Sequence, residues 1–360
     1  MACLGWGESI PSRVGKTMAH ERAGGQTLVH EAMAARFSVQ VVHDPPQYAW
    51  QAVCAAFDQL GLVEEYRSMR FLTLFLGWLG AMAVNAAVAA GAAAATEPRL
   101  ENTFFVFCHD THDAKNRDFA EQAEMIRALG FDGLGHLTLN ELPQRLATLD
   151  EKSLKLVWLH SYVTIRPDSV TYDPGLREAV GLLRGRDVLL SFTIRGGKRS
   201  DPSDDARVVP VLREIADLAA EAGLRVVLYP HQGDWVETIG DAVRVARQVD
   251  RENLGAMFNL CHWLRVDDTS RLEEALEAAM PYLFAVSING ADPPPGGWDR
   301  LIQPLGSGSF DVAGLLRTLH RLGYEGPIGL MCYGLRGDAE VHLRQSMEAW
   351  NRLAVQAVDG

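Results

Sequence analysis

Residues 103–136 read TFFVFCHDTHDAKNRDFAEQAEMIRALGFDGLGH, and they contain the unit that the rest of the chain repeats. A strand-like run of aromatic and β-branched residues, Thr103 to Cys108, comes first, and a second one, Phe131 to His136, comes last. The segment between them has four apolar residues on one helical face, with spacings of three and four: Phe119, Ala123, Ile126 and Leu129. Gly130 follows at once and is a typical helix terminator. The stretch therefore predicts a strand, a helix and a second strand.

The same alternation continues to the end of the chain. Eight strand-like runs can be counted: Thr103 to Cys108, Phe131 to His136, Leu156 to Tyr162, Val188 to Ile194, Arg225 to Tyr229, Gly255 to Asn259, Leu283 to Ile288 and Pro327 to Cys332. The last helix between strands is predicted to begin after Asp311, to carry Val312, Leu315, Leu316 and Leu319 on its apolar face, and to end at Gly323. No Gly-rich dinucleotide motif follows the first strand. The regular count favours a closed (β/α)8 TIM barrel over an open, doubly wound sheet, and we place it at residues 101–356.

Composition, charge and cysteine spacing argue against nucleic-acid binding and against cysteine-based metal or redox motifs. The 360 residues are ordinary in apolar and charged content, and the net charge of -12 argues against nucleic acid as a partner. The five cysteines include no pair with CxxC spacing, so neither a zinc knuckle nor a redox motif is predicted.

An uncharged apolar run, FLTLFLGWLGAMAVNAAVAAGAAAA, occupies residues 71–95. Its Leu- and Phe-rich first half and Ala-rich end are typical of a secretory signal peptide, so we expect a signal peptide at 69–98 that starts near Met69. Residues 1–68 would then be an extension outside the native mature protein, and the barrel would be exported, with no membrane span after cleavage. The alternative is an uncleaved signal anchor with residues 1–68 in the cytoplasm.

Histidines follow or end several of the predicted strands, where the loops of such barrels build the active site: His109, His136, His160, His231 and His262. Any one of them is as readily a structural hydrogen-bonding group as a catalyst. Together they predict acid–base chemistry near neutral pH or, as an alternative, a site for Zn²⁺ or Mn²⁺.

Other polar and aromatic residues are expected at the same end of the barrel. Arg195 and Lys198 would stabilise an enediolate or hold a carboxylate, unless they are simply solvated. Asn259, Asn289 and Asp292 are predicted to bind sugar hydroxyls. Trp235 and Trp298 would either stack on a sugar ring or pack under a loop.

Four segments carry a family resemblance: LYPH at 228–231, FNLCH at 258–262, PLGSGSFD at 304–311 and LHRLGYEGP at 319–327. With them the chain resembles the xylose isomerase-like TIM barrels, the superfamily of sugar phosphate isomerases and epimerases. The resemblance implies a divalent metal held by carboxylates and a histidine, and it implies that His231 and His262 contact substrate. The metal-ligand positions hold other residues here: Tyr229, Asn259, Ser287 or Asn289, and Met331 or Cys332. Because hard cations need oxygen ligands that carry charge, no metal site is predicted at these positions.

These observations predict an exported sugar isomerase or epimerase that acts on a small carbohydrate. It would move a proton next to a carbonyl, with His231 or His262 as base and Arg195 or Lys198 at the oxyanion, and without a firmly predicted cofactor. The alternative is a carbohydrate-binding barrel that has lost catalysis. A nuclease of the endonuclease IV type is disfavoured by the acidic charge and the missing carboxylates. The oligomeric state is left open.

Overall fold

A computed structural model describes residues 98–108, 112–294 and 296–358. The predictions for residues 1–68 and for the signal segment up to residue 97 lie outside this part of the chain. No helix among the described residues combines the length and the apolar character needed to cross a bilayer.

The described chain forms a closed barrel of eight parallel strands. In chain order these are β1 (Phe104–Val106), β2 (Gly133–His136), β3 (Lys155–Ile165), β5 (Leu189–Gly196), β6 (Arg225–Leu228), β7 (Leu254–Asn259), β8 (Leu283–Ile288) and β9 (Ile328–Leu330). Each of these strands pairs in parallel with its neighbour, and both the β2–β3 and β1–β9 pairings are present, so that the eight strands close into a barrel. All eight predicted strands and the (β/α)8 class are confirmed.

Ten α-helices of the described residues surround or cap these strands. They are α1 (Phe119–Leu129), α2 (Leu142–Glu151), α3 (Leu176–Leu183), α4 (Asp205–Ala220), α5 (Ile239–Val249), α6 (Leu260–Val266), α7 (Leu272–Ala279), α8 (Trp298–Leu301), α9 (Val312–Arg321) and α10 (Ala339–Gln356).

The helix ends predicted at Gly130, Asp311 and Gly323 are confirmed. Gly130 ends α1 with a φ of 85°, a left-handed conformation that glycine adopts without steric cost. The Asp311 carboxylate accepts a hydrogen bond from the Gly314 N–H and caps α9, and Gly323 lies just beyond the end of that helix with a φ of 77°.

One strand was not predicted. β4 (Val170–Tyr172) pairs antiparallel with the last residues of β3, and β3 continues alongside β5 as far as Ile165 and Gly196. These two strands therefore extend beyond the barrel proper and form a tall ladder on one side of its carboxyl-terminal end.

The buried apolar residues of the described chain form two clusters. The larger one fills the layer between the sheet and the helices, which is the usual core of this architecture. The smaller one lies inside the barrel and includes aromatic and sulfur-containing side chains such as Phe107, Trp158, Cys261 and Met331. The interior is thus a packed core that closes the lower end of any cavity above it.

Candidate active site

A cavity of about 650 Å³ opens at the carboxyl ends of the strands. Its size is within the range of about 300–1,000 Å³ that small-molecule sites occupy. Residues that lie on or follow the strands contribute to its wall, among them Cys108, His160, Arg195, Tyr229, His262 and Met331. The predicted location of the site is therefore the location of the cavity.

His160 lies on β3 and is held between two hydroxyl groups of the neighbouring strand β5. Its Nδ1 is 3.0 Å from Ser191 Oγ, and its Nε2 is 3.2 Å from Thr193 Oγ1. Burial, reinforced by the nearby positive charge of Arg195, lowers the pKa of His160 to about 3. The ring is consequently neutral near pH 7 and serves as a hydrogen-bonding group.

His262 and Tyr229 form a buried pair at the cavity wall. The Gln232 backbone N–H donates to Nδ1 of His262 at 3.2 Å, and Nε2 of His262 is 3.3 Å from the Tyr229 hydroxyl. Because a neutral ring that accepts at Nδ1 carries its proton on Nε2, we assign Nε2–H as the donor to the Tyr229 oxygen. Burial lowers the pKa of His262 to about 3, with a smaller contribution from His231. Burial also raises the pKa of Tyr229 well above its usual value, so this hydroxyl stays protonated.

His231 is the exposed histidine of the group. Its side chain is 42% exposed, and its Nδ1 lies 3.0 Å from a carboxylate oxygen of Asp234. The ring centroid is 4.3 Å from that of His262 and 5.9 Å from that of Tyr229. A carboxylate at Nδ1 leaves Nε2 as the nitrogen that can exchange a proton with a ligand.

The remainder of the wall combines cations with aromatic faces. The Arg195 guanidinium lies over the ring of Tyr162, with its carbon 3.3 Å from the centroid. Trp298 approaches His262 edge-on at 5.2 Å and is 40% exposed, and Tyr333 is 56% exposed. Arg336 also lines the cavity.

Six of the predicted site residues line this cavity: His160, Arg195, Tyr229, His231, His262 and Trp298. Asn259 is buried directly beneath, at the start of α6, where its side-chain oxygen accepts a hydrogen bond from the Cys261 thiol. His109 lies outside the described residues.

The structure gives the other predicted residues different positions. Lys198 is 82% exposed and pairs with Asp201 at 3.1 Å, outside the cavity wall, because the chain turns outward after β5. Trp235 is fully buried and donates from its indole nitrogen to the Asp201 carbonyl at 2.7 Å, so it packs under a loop. His136 faces the turn after β2, with Nε2 2.8 Å from the Asn140 carbonyl oxygen.

Asn289 and Asp292 also hold loops and do not line the cavity. The Asn289 amide donates to the backbone carbonyls of Gly290 and Leu301. Asp292 accepts hydrogen bonds from Ser309 and Gln303. These contacts use the Asn289 amide nitrogen and the Asp292 carboxylate within the protein, and a role of the two residues in sugar binding stays a prediction.

Several wall residues were missed by sequence reasoning: Tyr162, Thr193, Gln232, Asp299, Tyr333 and Arg336. Tyr162 and Thr193 lie on the extended parts of β3 and β5, and the β-type alternation past His160 was a signal for them. Tyr333 and Arg336 follow β9 in a loop that has no motif of its own.

The four positions that correspond to the family's metal ligands do not fit a divalent metal. They hold the neutral hydroxyl of Tyr229, the amide of Asn259, the buried hydroxyl of Ser287 or amide of Asn289, and the thioether of Met331 or thiol of Cys332. The Met331 sulfur lies 3.4 Å from the Cys108 sulfur. None of these groups carries negative charge, which Mg²⁺ and Ca²⁺ require from their ligands. Among the described residues, no group of three or more His, Cys, Asp or Glu side chains is arranged to hold a metal ion.

The family model for the xylose isomerase-like TIM barrel matches residues 175–353. Solved structures match the barrel as a whole. A 3-keto-D-glucoside 4-epimerase from E. coli is 18% identical, with a TM-score of 0.54, over 70% of this chain and 99% of the epimerase. A D-psicose 3-epimerase from Clostridium cellulolyticum H10, solved with D-tagatose, is 18% identical, with a TM-score of 0.52, over 71% of this chain and 97% of that one.

A xylose isomerase-like TIM barrel protein from Mycobacterium smegmatis, solved in complex with magnesium, is 16% identical, with a TM-score of 0.53, over 72% of this chain and 98% of that one. No curated protein sequence matches the chain significantly. The described barrel therefore belongs to the xylose isomerase-like TIM barrels, and at these identities the solved structures support the fold alone.

Proposed function

We propose that this chain is an isomerase or epimerase of a sugar or keto-sugar, and that it moves a proton at the carbon next to a carbonyl with its own side chains. The observation that carries the proposal is the contact between His231, His262 and Tyr229 on the wall of one cavity, with Asp234 behind His231. Three linked groups that exchange or donate protons are what such a reaction needs.

His231 is the base in this proposal. It is the histidine of the group that is exposed to the cavity, and Asp234 stabilises the imidazolium that forms when Nε2 takes a proton. His262 is unsuited to this role because its Nδ1 already accepts the Gln232 N–H and its pKa is about 3. Of the two bases predicted from sequence, the geometry supports His231.

Tyr229 is the donor to the oxyanion. When the proton leaves the carbon, negative charge moves to the carbonyl oxygen, and a hydroxyl that stays protonated can donate a hydrogen bond to it. The His262 Nε2–H donates to the Tyr229 oxygen, and this leaves the Tyr229 hydrogen for the ligand. Lys198, which was predicted for this role as an alternative to Arg195, lies outside the cavity wall.

Solvent exchange tests the proposal directly. The full chain is incubated in D₂O with a panel of keto-sugars, and incorporation of deuterium next to the carbonyl is followed by NMR. We expect His231→Gln to slow exchange by about 10²–10⁴-fold and Tyr229→Phe by about 10²–10³-fold. His320→Gln, on the exposed side of α9, is the control and should exchange as the unaltered protein does. Exchange that is absent with every sugar, or unchanged in His231→Gln, contradicts the proposal.

A carbohydrate-binding barrel without catalysis is the second candidate. The observation that favours it is the neutral, apolar floor, in which Met331, Cys108 and Cys261 lie around the positions of the family's ligands. Sugar binding that persists in His231→Gln, together with no exchange in the unaltered protein, would favour this candidate.

We also propose that the mature barrel is exported. The support is the signal-like segment after Met69. Sequencing the N-terminus of the protein purified from its native cell tests this, and a chain that retains residues 1–68 would contradict cleavage.

A further inference from the structure

The charges around the cavity differ in sign from those of the chain as a whole. Among the described residues, the wall contains two guanidinium groups, Arg195 and Arg336, and one carboxylate, Asp299. His160 and His262 add no charge, because both are neutral near pH 7. The wall is therefore cationic, whereas the whole chain carries a formal charge of -12.

Neither guanidinium is neutralised within the described part of the protein. Several other arginines pair with Asp or Glu, as Arg117 does with Asp113 and Arg251 with Asp217. Arg195 and Arg336 make no ion pair with any described carboxylate. Both residues are exposed, and an unpaired cation on the wall of a cavity attracts an anionic ligand.

The environment of Arg195 indicates what kind of anion it suits. Its guanidinium carbon lies over the Tyr162 ring, 3.3 Å from the centroid, and Arg195 pairs with Thr164 in the ladder of β3 and β5. Because the N–H groups of a guanidinium lie in its plane, stacking through the face leaves them available for a planar, two-oxygen acceptor. A carboxylate has this shape and carries one negative charge, which equals the excess of the two arginines over Asp299.

We propose that the cavity takes a sugar acid, with its carboxylate bound by Arg195 and with Arg336 adding positive charge on the same wall. The hydroxyl groups of the ligand would then lie toward the hydroxyl, amide and imidazole groups of the remaining wall. This inference names the substrate class of the proposed isomerase or epimerase and rests on that function.

Binding measurements test it without requiring turnover. The full chain is titrated calorimetrically with D-glucuronate, D-galacturonate, the neutral sugars D-glucose and D-galactose, and D-glucose 6-phosphate. We expect at least one uronate to bind about tenfold or more tightly than its neutral counterpart, and this preference should weaken with added salt. Arg195→Gln should remove the preference, and Arg195→Lys, which keeps the charge but loses the planar fork, should retain part of it.

Arg247→Gln is the matched control, since Arg247 is also placed over an aromatic ring, that of Tyr282, but lies outside the cavity wall. It should bind each sugar as the unaltered protein does. Circular dichroism and the unfolding temperature show whether the Arg195 variants fold.

Three results overturn the proposal: neither uronate binds, neutral sugars bind as tightly as uronates, or folded Arg195→Gln keeps the preference. Tighter binding of the sugar phosphate than of either uronate assigns the arginines to a phosphate and also overturns it. Uronate binding without solvent exchange would leave this inference standing and contradict the proposed reaction. Solvent exchange that is equally fast with neutral sugars would leave the proposed reaction standing and contradict this inference.

Discussion

Replacing the two buried cavity histidines should remove a large part of the acid sensitivity of this protein. The pKa of both His160 and His262 is lowered to about 3, whereas an unfolded histidine titrates near 6.5. A lowered pKa in the folded state means that the unfolded chain binds the extra protons, so the free energy of unfolding falls as the pH drops below 6.5. The double variant His160→Gln/His262→Gln lacks both imidazoles, so its unfolded chain cannot bind these two protons.

The size of the effect follows from the number of protons. Between pH 7 and pH 5, each histidine should lower the free energy of unfolding by about 2 kcal/mol, and the pair by about 4 kcal/mol. That is a large fraction of the roughly 5–15 kcal/mol that stabilises an ordinary domain. Other titrating groups, such as His342, contribute equally in the unaltered protein and in the variant and cancel in the comparison.

Urea unfolding at pH 7 and pH 5 measures this difference. The unaltered protein should lose about 4 kcal/mol more than the double variant does over this interval, and each single variant should account for about half of it. His320→Gln, which replaces an exposed histidine, should retain the full loss. Equal pH dependence in the unaltered protein and a folded double variant would refute the assignment of His160 and His262 as buried neutral groups.

Three further predictions concern the site and its supports. Asp234→Asn should slow deuterium exchange by about 10²-fold or more with little change in KM, since it removes the carboxylate 3.0 Å from His231. An unchanged rate would show that Asp234 takes no part in the reaction. Asp267→Asn should raise the unfolding temperature at pH 7.5 but hardly at pH 4. Burial beside Asp241 and Glu237 raises the pKa of Asp267 to about 6, so that ionisation of this carboxyl near pH 7.5 destabilises the folded state. A gain in unfolding temperature that is the same at both pH values would be inconsistent with this. Gly290→Ala should destabilise the fold by about 1–3 kcal/mol, because its Cβ would lie 2.2 Å from the Pro304 carbonyl oxygen, whereas Gly181→Ala in α3 meets no atom within 4 Å and should be neutral or stabilising in the same thermal unfolding assay.

The barrel could be predicted because each of its eight strands has a recognisable local sequence pattern. Runs such as Leu283–Ile288 combine β-branched and apolar residues and are bounded by helix-terminating residues, so each could be found by itself. β4 was missed because its three residues, Val170–Tyr172, are too few to carry a periodic signal, and none of them is buried. Its pairing depends on the length of β3, which is a property of the assembled sheet.

The sequence predicted at which end of the barrel the candidate site lies, but it did not determine which side chains line the cavity. Position at the end of a strand places a residue at the rim, but it does not determine whether the side chain faces the cavity, the turn or the helices. His136 and His231 have similar sequence contexts, yet one contacts the Asn140 carbonyl and the other the cavity. Arg336 shows the opposite case, since the course of the loop after β9 brings it to the wall without any motif.

The ladder formed by the last residues of β3 and β5 bears on how selectively a ligand is held. Tyr162 and Arg195 are attached there to backbone that is hydrogen-bonded on a continuous sheet, so the fold has already restricted their motion before any ligand arrives. A preorganised cation loses little conformational entropy on association, and its full interaction energy is then available to distinguish one ligand from another. Differences in affinity among related ligands should accordingly appear mainly as differences in residence time.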